Sequence, residues 1–360
     1  MAASLLGLPR EIRDEILTLA ISHQRPMPGS PYLNGESRNR RKLEDINYKS
    51  WCFGPSNVKY DKREIKNNLF GTLHSLLLVN HQIAAETRAV LTRSRKEYTL
   101  DLRVVNEKEV WPTWTMIPAP YRHLDKVTAT VRLFDSGNSQ QTRAIDRYFH
   151  TGDRTPPKIT WCFYTVLERF LRCGPLAPSL PFISRFLARP IGFDQGFTIK
   201  TLVLDFLSPP PPPPKNPKET VKDGASDLAT SNEQESVDSM VLYKADWLAN
   251  FVQMYMNALL MMSYHTAAYG GILYERIGNI ELRVDGELLK AVPLDKTLAE
   301  LWYNDPLETF GEVWPSEYRI PVFRAWKKKA LLMRKAANLP VIWPNEDELA
   351  ELDLRDCDKN

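Results

Sequence analysis

The chain has 360 residues, 43% of them hydrophobic and 25% charged. That is the balance of a globular protein with a real core, sized for one large domain or two ordinary ones. No run approaches the roughly 20 apolar residues of a membrane helix; Asn250, Gln253 and Asn257 interrupt the most apolar stretch, residues 247–264. A net charge of +3 is too near neutral to indicate nucleic acid by itself, and four scattered cysteines exclude a disulfide scaffold.

The N-terminus turns charged at Arg10, so it lacks the apolar core of a secretory signal, and a cytoplasmic or nuclear location is expected. The first predicted helix opens at Leu8-Pro9-Arg10-Glu11-Ile12, with proline in the first turn, where a missing N–H costs nothing. Glu11, Asp14 and Glu15 suit the positive helix end. Leu8, Ile12, Ile16 and Leu19 form an apolar stripe at helical spacing, and Pro26 and Pro28 are read as ending the helix.

Residues 23–70 are polar, proline- and arginine-containing and weakly periodic, and read as a long loop or insertion. A second helix is predicted over about 72–94, with Leu76, Val79, Ile83, Thr87, Val90 and Leu91 on one face. This N-terminal region closes near residue 95. The period then changes to two. Tyr98, Leu100, Leu102 and Val104 alternate with Thr99, Asp101 and Arg103, the pattern of a half-buried strand.

Three further strands, at 125–134, 198–207 and 278–288, share one template: apolar, two residues, apolar, one, apolar, one, apolar. The template positions are Leu124/Val127/Ala129/Val131, Ile199/Leu202/Leu204/Phe206 and Ile277/Ile280/Leu282/Val284. Helical patterns at 161–173 and 245–264 separate them. Strand–helix–strand order favours right-handed crossovers and a mixed or mostly parallel sheet, and the near-equal spacing suggests a degenerate repeat. The expected fold class is therefore α/β: N-terminal helices, then a sheet of four or five strands with packed helices over 96–340.

Six consecutive prolines, Pro209 to Pro214, lead into a Lys-, Asp-, Glu-, Ser- and Asn-rich stretch, so residues 208–240 read as a stiff segment running into a disordered loop. A last helix is predicted over 317–337, and residues 341–360 read as a solvated acidic tail.

Leu5-Leu6-x-Leu8-Pro9-x-Glu11-Ile12-Arg13-x-x-Ile16-Leu17, followed by Leu76-Leu77-Leu78-Val79-Asn80-His81-Gln82-Ile83-x-x-Glu86, resembles the two blocks of fungal F-box-like proteins. The resemblance covers about 30 of 360 residues. It implies a helical module that docks on the adaptor subunit of an SCF-type ubiquitin ligase while the rest of the chain recruits a target protein. Leu8, Pro9, Ile12, Ile16 and Leu17 match the docking positions, and an apolar helix start with proline suits a helix-in-groove ligand. Here about 50 residues separate the blocks, where a compact F-box has its helices close together in sequence. Two readings therefore stand: adaptor docking, or helices that only pack on each other and cap the sheet.

Elsewhere chemistry is sparse. There is no Gly-rich phosphate loop, no Gly-x-Ser-x-Gly elbow and no His-Glu-x-x-His zinc helix. His74 and His81, seven apart on one predicted helix, have no carboxylate or cysteine partner in sequence. No enzymatic activity, cofactor, metal or small-molecule substrate is expected. Trp111-Pro112-x-Trp114 and Tyr121 read as an aromatic–proline loop, either a target-contact surface or packing across a sheet end. Arg38–Arg41 with Lys42, and the basic stretch 325–335, offer electrostatic contacts that would include nucleic acid. The alternative for the second is a helix anchored by Val322, Trp326, Leu331 and Met333, its lysines facing solvent or the acidic tail.

Overall fold

The computed structural model describes residues 5–32, 36–41, 57–62, 71–106, 108–134, 158–175, 194–208, 245–263, 266–303, 310 and 315–352. From residue 209 onward, the proline-led segment read as 208–240 lies outside them. The protein is α/β, built on a six-stranded mixed, mostly parallel sheet. In chain order come α1 (Arg10–Ile21), α2 (Gly71–Val79), α3 (His81–Arg93), β1 (Glu97–Val105), β2 (Glu109–Met116), β3 (His123–Phe134), α4 (Lys158–Cys173) and β4 (Thr198–Leu207). Then follow α5 (Ala245–Leu260), α6 (Ala267–Arg276), β5 (Ile277–Val284), β6 (Glu287–Pro293), α7 (Leu294–Ala299), α8 (Ser316–Ala336) and α9 (Glu346–Glu351). The strand order is β2-β1-β3-β4-β5-β6, parallel through the central four and antiparallel at both edges.

The three sequence templates lie side by side in register. Leu124, Ile199 and Ile277 form one cross-strand row, and Val127, Leu202 and Ile280 the next. Ala129, Leu204 and Leu282, then Val131, Phe206 and Val284, complete the set. β1 extends three of these rows through Tyr98, Leu100 and Leu102. The rows at 127, 129 and 131 are two residues apart and so share a face, which α4 and α5 cover to make the main core.

Both edge strands are additions to the expected sheet. Residues 109–116 form β2 rather than a loop. Pro112 removes a donor, which an edge strand tolerates. β6 follows a two-residue turn at Asp285-Gly286, with φ of 50° and 84°, the left-handed pair of a tight hairpin turn. The strand expected to run to Leu288 thus ends at Val284. The predicted helix over 245–264 is α5, which stops at Leu260, and a second helix, α6, follows it before β5. A Cβ on Gly270 would lie 2.2 Å from the Leu259 carbonyl oxygen, so glycine permits the close approach of the two helices.

Opposite α4 and α5, the sheet carries charge. Asp101 and Arg103 are fully buried in β1. Arg132 donates to both Asp101 carboxylate oxygens, at 2.6 and 2.8 Å. Residues read as a polar insertion cover this layer: Gly29 and Pro28 carbonyls accept from Arg103 and Arg132, and Arg40 donates to Pro112 O and Thr113 Oγ1. The insertion also supplies Val58 and Tyr60 to the main core.

The C-terminal helix keeps two of its predicted anchors, Leu331 buried and Trp326 packed against the core, and adds charged residues to the buried face. Its buried residues are Arg319, Phe323, Lys327, Ala330, Leu331 and Arg334, while Val322 is exposed. Lys327 Nζ donates to Leu301 O at 2.8 Å and Glu348 Oε1 at 2.5 Å. Arg334 donates to Tyr274 O, Ile277 O and Pro340 O, and burial pulls its pKa down to about 10. The start of the expected solvated tail therefore folds back as α9, whose Asn345 cap accepts from Glu348 N.

Candidate functional site

The N-terminal helices bring the two blocks of the resemblance together across 73 residues. Arg13 lies on the inner face of α1 with Leu17 and Ile21, one helical turn apart in succession. Its guanidinium donates to Glu86 Oε2 at 2.9 Å from Nε and to Glu86 Oε1 at 2.6 Å from Nη2. The third nitrogen donates back to the Leu8 carbonyl and to Leu6 O, pinning the turn that precedes α1. Gln82 Nε2 adds a hydrogen bond to Glu86 at 3.1 Å. A planar fork meeting a carboxylate fixes orientation as well as distance. The bond from Arg13 holds the Glu86 carboxyl down at about 2. On the same pair of helices Asp14 accepts from Arg93 at 2.7 Å, and that bond, with one from Arg10, lowers its pKa.

The expected single helix over 72–94 breaks at Asn80. Its backbone is extended there (φ −163°, ψ 170°), and its side chain accepts from Ile83 N at 2.8 Å, capping α3. The break separates His74 from His81, and among the described residues no cluster of three metal-ligating side chains exists. Most of the expected common face survives the break: Ile83, Thr87 and Val90 are buried and Leu76 and Leu91 pack against the same cluster, whereas Val79 is exposed.

The lock turns an apolar stripe outward. Ile12 is 45% exposed, Ile16 38% and Leu19 65%, and Leu5 and Leu6 beside the start of α1 are exposed too. Of the docking positions, Pro9 caps α1 and is exposed with Ile12 and Ile16, Leu8 is half-buried, and Leu17 is buried at 1%. Leu17, Ile21, Ile83 and Val90 form the small internal cluster. The stripe read from helical spacing is thus a surface, and the buried face of α1 carries an arginine where an apolar residue would be looked for. The signal that was available for this lock is a pair of opposite charges at fixed places in the two blocks, Arg13 and Glu86.

The aromatic candidates sit elsewhere. Trp111 and Trp114 lie on opposite faces of β2, both buried. The guanidinium groups of Arg40 and Arg103 each lie over the Trp111 ring, 5.5 Å from its centroid. Trp114 packs against Phe170 and Tyr98. Tyr121 is half-buried and its hydroxyl donates to Leu91 O, tying the end of α3 to the sheet. Trp114 also lines a cleft with Ala20 and Ile21 at the end of α1.

No helix among the described residues is long and apolar enough to cross a membrane. Compared with known proteins, the chain matches no family model, no curated sequence and no solved structure.

Proposed function

We propose that this protein is an interaction adaptor whose F-box-like N-terminal helices dock on the adaptor subunit of an SCF-type ubiquitin ligase, leaving the α/β layer to present a target. The observation that carries this reading is the outward stripe of Ile12, Ile16 and Leu19 beside Leu5 and Leu6. A folded protein gains nothing by ordering apolar side chains in water, and contiguous exposed apolar surface marks interaction sites. A helix offering residues at i, i+4 and i+7 is the form that a hydrophobic groove accepts. The Arg13–Glu86 pair supports the reading because it joins the two separated blocks and sets which face points out. Nucleic acid fits less well, since Lys327 and Arg334 of the basic helix point inward.

The test is co-purification of the full chain with the ligase adaptor. Ile12→Ala/Ile16→Ala is expected to weaken capture by about tenfold or more. The same variant should melt like wild type, because surface truncations usually change stability by less than about 0.5 kcal/mol. Leu17→Ala is the contrasting control: its side chain is buried, so it should cost about 2–5 kcal/mol and lose binding only as it loses folding. A well-folded wild type that ignores the adaptor would leave the helices as part of the fold alone.

A further inference from the structure

The row Leu100, Ala129, Leu204, Leu282 crosses the middle of the sheet on its helix-covered face. Two of its members are out of pattern. Ala129 is the one template position with a side chain shorter than valine. Leu204, on the central strand β4, is only half-buried, although its row neighbours Ala129 and Leu282 are buried. Parallel strands at the centre of a sheet are ordinarily covered. The exception follows from where the helices sit. α4 packs chiefly on β2, and α5 on β4 and β5, so β1 and β3 floor the gap between them.

In that gap lies a cavity of about 80 Å3, partly open to solvent. Ala129 and Leu204 lie in its floor, and half-buried Leu167 of α4 and Leu259 of α5 line its sides. Its wall is apolar almost throughout. Water needs two to four polar partners in such a place, so an apolar cavity stays dry. The lining atoms then lack the dispersion contacts of a close-packed interior. A guest without polar atoms supplies them, and spaces between helices are a common setting for ligands. The volume is about half that of an engineered cavity of about 150 Å3 that takes benzene. A narrow chain entering between Leu167 and Leu259 therefore suits the gap better than a ring system. The wall offers nothing to hold a polar head, which stays outside.

We propose that this slot binds the end of an unbranched aliphatic chain, with Ala129 as the residue that makes the room. The probes are octanoate and octyltrimethylammonium, comparable chains under opposite head charges. Each is titrated into the full-length protein below its micelle concentration and followed by methyl NMR. Both are expected to give saturable shifts at the methyls of Leu167, Leu204 and Leu259. Shortening octanoate to hexanoate should weaken binding by roughly fourfold for each buried methylene lost. Ala129→Leu should fill the slot and weaken both probes by about tenfold or more. Should that variant fail to melt cooperatively, Ala129→Val takes its place and should act in the same direction. Saturable binding of one head charge alone would overturn the assignment to an aliphatic chain. Non-saturating shifts in wild type, shifts confined to the exposed stripe of α1, or undiminished affinity in the Ala129 variant would overturn the site.

Discussion

The N-terminal helices and the α/β layer are held by opposite means. The sheet buries whole rows of apolar side chains under α4 and α5, in register from β1 to β5. Among the described residues the helices bury the small cluster Leu17, Ile21, Ile83 and Val90, with Leu76 and Leu91 against it, and the Arg13–Glu86 pair fixes their arrangement. A buried ion pair adds little net stability, but its geometry admits few alternatives. The helical region therefore spends its apolar residues differently: Ile12, Ile16 and Leu19 stay outside, where a partner can reach them. The lesson is that its exposed hydrophobics reflect orientation by a polar lock rather than a shortage of interior.

The largest expected effect tests whether the α/β layer has a lock of its own. Lys327 and Glu348 join α8 to α9 and are both buried. Lys327→Ala strands a carboxylate among apolar groups and should cost about 3–5 kcal/mol in urea unfolding. Lys327→Met/Glu348→Leu should recover most of that, since apolar groups of similar size replace both charges. A single-variant loss below about 1 kcal/mol would mean that the Lys327–Glu348 pair is not a lock between α8 and α9.

Acid sharpens the comparison next. The Glu86 carboxyl has its folded pKa lowered to about 2 from 4.5, first by the hydrogen bond from Arg13. A depressed carboxyl stabilises the fold above its unfolded pKa, and that stabilisation is lost as pH falls from about 4.5 toward about 2. All described tryptophans belong to the α/β layer. Helicity by circular dichroism should therefore begin to fall at a higher pH than tryptophan fluorescence changes. Glu86→Gln should be less stable at pH 7 and should flatten the helicity curve. Coincident transitions in wild type and variant alike would merge the two regions into one cooperative unit.

What could be read from the sequence divides along the same line. The parallel strands were legible because each is buried on the helix side, so period two appears as clean apolar positions, and the template even carried the register. The edge strands were not. β2 holds Pro112 and two tryptophans that face opposite sides, and β6 is exposed at all five positions from Glu287 to Ala291, so neither alternates. α8 was legible as a helix but only partly by face: Trp326 and Leu331 pack inward as their spacing suggested, and the buried stripe also includes Lys327 and Arg334, which satisfy backbone carbonyls. On α1 the apolar stripe was legible and its direction was not. Spacing tells which residues share a face, and only the Arg13–Glu86 contact, 73 residues apart, tells which face is in.

The smallest expected effect concerns the break at Asn80, where apolar spacing alone predicts an unbroken helix. Two forces compete there. Continuing the helix would satisfy the Asn80 backbone internally, whereas the cap satisfies Ile83 N through the side chain and lets α3 turn so that Ile83 and Glu86 meet α1. Asn80→Ala removes the side-chain acceptor and should cost about 1 kcal/mol. Helicity should stay unchanged if packing against α1 sets the break, since the extended backbone at residue 80 then survives the loss of its cap. A rise in helicity with no loss of stability would show that the cap alone enforces the break. The Arg13–Glu86 pair would then be a consequence of Asn80, and the orientation of the α1 stripe would rest on one side-chain amide.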